Sequence, residues 1–229
     1  MNFHLVQRRA VLFPTLLGWI CLVAAVGAPL LFWCFQGESF LAPTQRHSAE
    51  VLVVESWIGQ DGLQAAKLEF ENGGYRYLVT SGGMSENRWE QQHWNLAIVS
   101  RELLLRAGMP PDRVIAAPSS GAQNNRTFGT ALAVRRALEQ RGLQPAALNV
   151  LTLGVHARRS RLVFAKVFKP NAVVGVIPWT PPDYPAGPWW KSSERADTLM
   201  KETIGYFFEL LFNSGRMSNS PVEPATPVP

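Results

Sequence analysis

A histidine and two arginines follow directly after an apolar run in the second half of the chain. The run Leu148–Leu153 is rich in leucine and valine, which is typical of a strand buried on both faces. Beyond Gly154 come His156, Arg158 and Arg159, and apolar residues then recur at helical spacing. An imidazole can transfer protons near neutral pH, and a guanidinium binds phosphate or carboxylate through paired hydrogen bonds. This junction therefore predicts a ligand-binding site, with the solvated start of an ordinary helix as the alternative.

Polar residues and glycines also follow the first three predicted strands. They are Glu55 and Ser56 after the first strand, Ser81, Gly82 and Gly83 after the second with Glu86 and Glu90 close behind, and Ser119, Ser120, Asn124, Asn125 and Thr127 after the third. The carboxyl ends of parallel strands meet at one edge of a sheet, and ligands bind at that edge. We therefore expect these residues to lie close to His156.

Several members of this set have a chemical task that their residue type suits. The backbone N–H groups of Ser81–Gly83 can approach an anion closely because glycine has no Cβ, although the same residues also suit a plain turn. Asn125 and Thr127 can hold a ligand or cap the following helix. Glu55 can serve as a general base or orient His156. Together they predict acid–base chemistry on an anionic ligand.

The elements that must position these groups alternate between strand and helix. Strands are predicted at 51–54, 77–80, 114–117, 148–153 and 172–177, and helices at 62–72, 90–107, 127–141, after the fourth strand, and at 194–212. Such an alternation is typical of an α/β sandwich around a parallel sheet. The chain is long enough for one well-buried domain and an appendage.

The appendage is an uncharged segment near the N-terminus. Residues 11–35 carry no charge, and 25 helical residues span about 38 Å, enough for a bilayer core of about 30 Å. Arg8 and Arg9 precede the segment, which places the N-terminus in the cytoplasm by the positive-inside rule. A cleaved signal peptide is the alternative, but the apolar run continues past Pro29, which favours an uncleaved anchor.

The predicted organisation therefore has five parts. It comprises a cytoplasmic N-terminus at 1–10, a transmembrane anchor at 11–35, a linker at 36–49, an α/β domain at 50–212 and a disordered, proline-rich tail at 213–229. The domain is expected outside the cytoplasm, on the periplasmic side of a bacterial inner membrane.

Several functional classes lack support in the sequence. Arg8 and Arg9 belong to the anchor region, and the rest of the chain has 20 basic and 17 acidic residues without a basic run, which argues against nucleic-acid binding. Both cysteines lie in the apolar segment, and the histidines outside the junction lack metal spacing, so no metal site is predicted. The motifs of dinucleotide oxidoreductases, P-loop NTPases, serine hydrolases with a nucleophile elbow, and zincins are absent.

The ordered strand-end motifs resemble the YdcF-like domain family, which includes the SanA and ElyC envelope proteins. The motifs are Val51–Glu55, Thr80–Gly83 with a glutamate soon after, Gly108-Met-Pro, Ser119/Ser120 followed by Asn-Asn-Arg-Thr127, and Val155–Ser160. The resemblance covers about residues 50–210 and depends on the order and spacing of the motifs. The chain departs from the family's pattern in two places. Glu55–Ile58 replaces the usual glycine-rich turn after the first strand, and the asparagines before Thr127 reverse the family's commoner order Thr-x-x-Asn.

This resemblance implies a Rossmann-like three-layer sandwich with a mainly parallel five-stranded sheet behind one transmembrane helix. It also implies a role in cell-envelope integrity, in peptidoglycan-precursor or lipid-carrier metabolism, and nucleotide or S-adenosylmethionine binding has been suggested for some members. By position, the family's polar set falls on Glu55, Ser81, Gly82, Gly83, Glu86 or Glu90, Ser120, Asn125, Thr127, His156 and Arg159. The cofactor stays unassigned.

Two hypotheses of function follow from the sequence. In the first, the domain is a hydrolase or transferase acting on a phosphorylated or lipid-linked envelope precursor. His156 and Glu55 would be catalytic, while Arg158, Arg159 and the Ser81–Gly83 backbone would hold the phosphate. In the second, the domain is a non-catalytic envelope factor that binds an anionic small molecule or a partner protein.

Overall fold

Five apolar runs of the sequence form the five strands of a single parallel sheet. In the computed structural model, which describes residues 13–85, 94–119 and 126–212, the strands are β1 (Val51–Glu55), β2 (Tyr77–Gly82), β3 (Val114–Pro118), β4 (Ala147–Leu153) and β5 (Val173–Trp179). Their order in the sheet is β3-β2-β1-β4-β5, and every neighbouring pair is parallel. The predicted Rossmann-like α/β architecture is therefore confirmed.

Helices α2 (Gly59–Asn72), α3 (Leu96–Arg106), α4 (Arg126–Gln140) and α5 (Ala157–Phe168) cover the two faces of this sheet. Helix α6 (Ser193–Leu211) packs on α5, and α1 (Leu16–Leu41) precedes the sheet in the chain. Alternate residues of a strand point to opposite faces. Val51 and Val53 accordingly pack with α4 and α5, whereas Leu52 and Val54 pack with α2 and α3. Burial on both faces explains why the strands are continuously apolar in sequence.

The order of the strands reverses between β1 and β4. The chain builds outward from β1 to β2 and β3, then returns to β4 on the other side of β1 and continues to β5. At such a reversal the connecting helices leave on opposite faces and open a crevice beyond the carboxyl ends of the two central strands. Glu55 ends β1 and His156 follows β4, so both residues lie at this switch point.

Helix α1 contains most of the uncharged segment. It runs through Pro29 to Leu41, and it is long and apolar enough to cross a membrane. The chain divides into two compact units, residues 1–37 and 38–229, so the last turn of α1 belongs to the second unit. Helical structure thus extends six residues beyond the predicted end of the anchor at Phe35. Gln36 and Glu38 are good helix formers, and the single Gly37 between them does not end the helix.

The rest of the predicted linker forms hydrogen bonds with the sheet. The backbone N–H and C=O of Gln45 pair with Val176 on the outer side of β5, and this contact occupies the open edge of the sheet. The side-chain amide of Asn149, buried in β4, accepts a hydrogen bond from the N–H of His47 and donates one to its carbonyl. A Cβ at Gly175 would lie 2.0 Å from Asn149 Oδ1, so only glycine fits beneath this crossing segment.

Candidate functional site

The end of β1 and the beginning of α5 bring Glu55 and His156 together. Beyond β4 the chain makes a short 3₁₀ turn at Gly154–His156, and α5 starts at the next residue. Because β1 and β4 are neighbours, the Glu55 carboxylate Oε2 lies 3.5 Å from His156 Nε2. Both side chains are almost fully buried, at 2% and 6% exposure. The predicted pairing of these two residues is therefore present in the structure.

Helical geometry adds two further side chains to this pair. Residues three and four positions after His156 share its face of the helix, and these are Arg159 and Ser160. Ser160 Oγ donates a hydrogen bond of 2.6 Å to Glu55 Oε2. The guanidinium of Arg159 lies 3.0 Å from His156 Nδ1 through Nη2, and its Nη1 donates to the Thr127 hydroxyl at 3.2 Å.

Arg158 lies on a different side of the same helix. It is two positions after His156, which turns its side chain away from the face that carries the histidine. Its Nε donates to the carbonyl of Phe40, and its guanidinium lies 3.9 Å from the centre of the Phe40 ring. The structure thus separates the two adjacent arginines, and only Arg159 lies with His156.

A carboxylate from α6 completes the cluster. Glu202 Oε1 lies 2.9 Å from His156 Nδ1, and its two oxygens accept hydrogen bonds from Nε and Nη2 of Arg159 at 2.7 and 2.9 Å. We call Glu55, His156, Arg159, Ser160 and Glu202 the His156 cluster. Ser160 and Glu202 are not among the site residues predicted from the sequence.

A signal for Glu202 does exist in the sequence. The buried face of α6 carries charged residues seven positions apart, which for a helix means the same side: Arg195, Glu202 and Glu209. Charged residues are almost never buried unless they are paired, so such a stripe indicates specific partners. What the stripe cannot indicate is which residue pairs with which.

The electrostatics of the cluster favour an ionised Glu202. Burial alone raises the pKa of a carboxyl group, but hydrogen bonds and positive charge from His156 and Arg159 outweigh it and lower the pKa of Glu202 to about 2. For Arg159, burial acts to lower the pKa, but hydrogen bonding to Glu202 and its negative charge raise it overall. The two groups therefore form a persistent ion pair at neutral pH.

Both Glu202 Oε1 and Arg159 Nη2 lie within 3.0 Å of His156 Nδ1. Arg159 Nη2 already donates to Glu202 Oε1, so a proton on Nδ1, which lets the imidazole donate to the same carboxylate, is compatible with both contacts. In the neutral ring Nε2 then carries the lone pair. Within the described residues Nε2 has no hydrogen-bond partner. His156 can therefore accept a proton on Nε2, beside Glu55.

Trp57 covers this histidine from one side. It lies in the 3₁₀ turn Ser56–Ile58 that follows β1, and its ring meets that of His156 edge to face at a centroid distance of 5.0 Å. The neighbouring Ser56 hydroxyl is buried and likewise has no partner in the part of the chain that the structure describes. With the hydroxyl of Thr152 near the end of β4, three buried polar groups that lack a hydrogen-bond partner among the described residues lie at the switch point. Buried polar groups ordinarily have such partners.

The residues at the carboxyl end of β2 make contacts within the fold. Ser81 is fully buried, and its hydroxyl donates to the carbonyl of Val54 at 3.0 Å. A Cβ at Gly82 would lie 3.1 Å from the Cβ of Leu96, so this glycine permits the close approach of α3. The carbonyl of Gly83 accepts from the N–H of Leu96. Five other residues of the predicted set lie outside the described residues: Glu86, Glu90, Ser120, Asn124 and Asn125.

A cavity of about 770 Å³ opens at the carboxyl ends of β4 and β5, and its lining contains no member of the His156 cluster. Its walls come from the carboxyl ends of β4 and β5, the loop at 180–185, the first turns of α6 and residues 38–42. Gly154 and Val155, which directly precede His156, line it. The volume falls within the range of small-molecule sites. Among the described residues, no group of three His, Cys, Asp or Glu side chains could hold a metal ion.

Comparisons of this chain with protein-family models, with curated proteins and with solved structures find no match. The site is therefore interpreted from its own geometry.

Proposed function

We propose that this protein is a membrane-anchored α/β protein that binds a phosphorylated or otherwise anionic ligand at the β1–β4 switch point, with His156 as its acid–base group. We further propose that it is a YdcF-like envelope protein with its domain on the periplasmic side. A lipid-linked envelope precursor is the substrate class, and hydrolysis or group transfer is the reaction.

The observation that carries this proposal is the state of His156. Its Nδ1 is held by Glu202, while Nε2, beside Glu55, has no hydrogen-bond partner among the described residues. A histidine kept only for packing would ordinarily have both ring nitrogens satisfied. An oriented imidazole with one nitrogen open is the arrangement that general acid–base catalysis requires.

Arg159 supplies the charge for an anionic group. Glu202 and Thr127 accept three of its five N–H groups, and its side chain is 23% exposed. A phosphate oxygen that approaches the exposed edge would gain a charge-assisted hydrogen bond. Because Arg158 is bonded to Phe40, the proposal assigns the anion to Arg159 alone.

A non-catalytic binding factor is the second candidate. The observation that favours it is the burial of both Glu55 and His156, together with the edge-to-face cover from Trp57. In that case the cluster would join β1, α5 and α6, and ligand binding would alter their packing without turnover.

A thermal-shift screen of the full chain in detergent first tests for the anionic ligand that the proposed function requires. The probes are inorganic phosphate, nucleotides, S-adenosylmethionine and polyprenyl-phosphate head groups, and a bound ligand raises the melting temperature of the native state. We expect Arg159→Ala to abolish the ligand-induced shift. Arg106→Ala, at an exposed position on α3, should leave it intact.

His156→Gln then distinguishes the two functions. Loss of turnover with retained binding supports acid–base catalysis, and His47→Gln at an exposed position is the matched control. If the wild type binds a ligand but never turns it over, the binding factor is the correct function. If no anionic probe shifts the melting temperature, the ligand class proposed here is wrong.

A further inference from the structure

The outward face of α6 changes from polar to apolar halfway along the helix. Its first half carries Ser193 and Asp197 on that face, as expected for a surface helix. Its second half carries Met200, Ile204, Phe208 and Leu211 at spacings of four and three, with exposures of 49, 67, 37 and 71%. We call these four residues the outer stripe. It lies opposite the buried face that holds Glu202.

The outer stripe is large for a surface exposed to water. Four neighbouring apolar side chains at helical spacing form one continuous ridge, and Phe212 extends it by a ring contact with Phe208 at 5.5 Å. Burial of apolar surface is favourable by about 25 cal/mol per Å². Such a ridge therefore indicates a partner, because the described residues of the domain leave it exposed.

The middle of α6 packs against the last turn of α1, which belongs to the second compact unit. The ring of Tyr206 packs edge to face on that of Phe40, with centroids 5.7 Å apart. The guanidinium of Arg158 lies over both rings, 3.9 Å from Phe40 and 6.0 Å from Tyr206. Phe40 follows Glu38 by two residues, and Glu38 is the first charged residue after the uncharged segment.

Chain connectivity then sets the depth of α6. If α1 crosses the bilayer, as the proposed function requires, its uncharged segment ends at the membrane surface near Glu38. Two helical residues add a rise of about 3 Å, so Phe40 and the Tyr206 ring on it must lie near that surface. This constraint holds for any arrangement of the two units, since it follows from the covalent chain.

We propose that the outer stripe of α6 inserts into the bilayer interface as a second membrane contact of the domain. An interfacial helix needs one polar face and one apolar face. On one face of α6, Arg195, Glu202 and Glu209 form ion pairs with other residues of the domain, and the outer stripe makes the opposite face apolar. Interfacial helices bury their apolar face about 5–10 Å into the head-group and acyl boundary. Two contacts fix the orientation of the domain on the membrane, whereas one anchor leaves it free to rotate.

This orientation bears on the candidate site. Glu202 lies on the face of α6 opposite the outer stripe, and it contacts His156 and Arg159. The same helix would therefore hold the His156 cluster on its inner face and lipid on its outer face. The site would then be kept within one helix diameter, about 10–12 Å, of the membrane surface.

Site-specific fluorescence of the full chain in liposomes tests this proposal. With Cys21 and Cys34 replaced by serine, Ile204→Cys and Leu211→Cys each receive a polarity-sensitive fluorophore. Glu71→Cys, at an exposed position on α2 across the sheet, is the matched control. The vesicles contain phosphatidylcholine and phosphatidylglycerol, with or without a lipid that carries a spin-label quencher high on its acyl chain.

We expect a blue-shifted emission and severalfold stronger lipid quenching at positions 204 and 211 than at position 71. Equal quenching at all three positions would overturn the proposal. So would a blue shift without lipid quenching, because the stripe would then be covered by protein, either a second copy or residues beyond 212. Alkaline extraction of the same vesicles tests α1 separately, since a chain that is extracted has no anchor, and the proposed function fails instead.

Discussion

Two ion-paired clusters on the inner face of α6 differ in how completely their polar groups are satisfied. Arg195 donates to both oxygens of Glu38 at 2.7 Å and to the carbonyls of Pro185 and Gly187. Its guanidinium also lies 4.7 Å from the ring of Tyr184. The Arg195 cluster thus joins residue 38, the loop at 184–187 and α6. Glu38, Tyr184 and Arg195 also line the cavity of about 770 Å³, but each guanidinium nitrogen of Arg195 already donates to a protein oxygen.

The His156 cluster lies seven residues further along the same helix and is incomplete. Glu202 pairs with one nitrogen of His156 and accepts two N–H groups of Arg159, but Nε2 of the histidine has no hydrogen-bond partner among the described residues. Complete satisfaction indicates a structural role, and incomplete satisfaction of a buried polar group indicates a functional one. The comparison therefore separates structural from functional polar residues on one helix.

The largest effect is expected at Arg195. Arg195→Met would leave Glu38 without its counter-charge and the two loop carbonyls without donors. We expect the free energy of unfolding of the domain to fall by about 4 kcal/mol, as for other broken buried pairs. Denaturant unfolding of the full chain in detergent measures this. Lys201→Met breaks an exposed pair with Asp197 and should cost less than about 0.5 kcal/mol; similar losses in both variants would contradict the structural role.

The pH dependence of stability sharpens the comparison at Glu202. Its pKa is about 2 in the folded protein and 4.5 in the reference state, so the ionised form adds stability above about pH 4.5 that is lost as pH falls toward 2. The shift corresponds to about 3 kcal/mol. Glu202→Gln should lose that amount at neutral pH and converge with the wild type near pH 2.

Glu102→Gln is the control for this titration. Glu102 is half-exposed and lies beside Arg101 on α3, so its replacement should leave the pH profile of the wild type almost unchanged. If Glu202→Gln followed the wild type at every pH, the ion pair with Arg159 would contribute no stability, and the electrostatics assigned to the cluster would be wrong.

The smallest effect is expected at two helical glycines. A Cβ at Gly205 on α6 would lie 2.9 Å from Cδ of Arg159, so Gly205→Ala must displace an arginine that Glu202 holds in place. We expect a loss of about 1–2 kcal/mol. Gly129→Ala on α4 meets no atom of the described residues within 4 Å, and it should stabilise the domain by about 0.5–1 kcal/mol through helix propensity. Melting temperatures of both variants measure the contrast, and equal shifts would contradict the fixed position of Arg159.

Much of the fold was predictable because its requirements are local. A strand buried on both faces must be apolar throughout, and a surface helix must repeat its apolar residues every three or four positions. Both patterns are visible in the sequence, and the five strands lie within two residues of their predicted bounds. The continuation of α1 to Leu41 was missed, since the anchor was bounded by hydrophobicity and the last turn is polar.

The candidate site was predictable only in part. The strand ends pointed to Glu55, His156, Thr127 and Arg159, and the structure brings these four together. Arg158 has the same residue type and nearly the same position as Arg159, but one residue is about 100° of rotation on a helix, and that rotation directs it to Phe40.

The sequence by itself determined the elements, the parallel sheet and the edge at which polar residues gather, because burial and periodicity act between neighbours in the chain. Only the tertiary structure decided that Glu202, far along the sequence, pairs with His156 and Arg159. In sequence Glu202 resembles any acidic residue of a surface helix. Its role depends on how α6 is rotated and where it packs against α5, and that packing is a property of the whole fold.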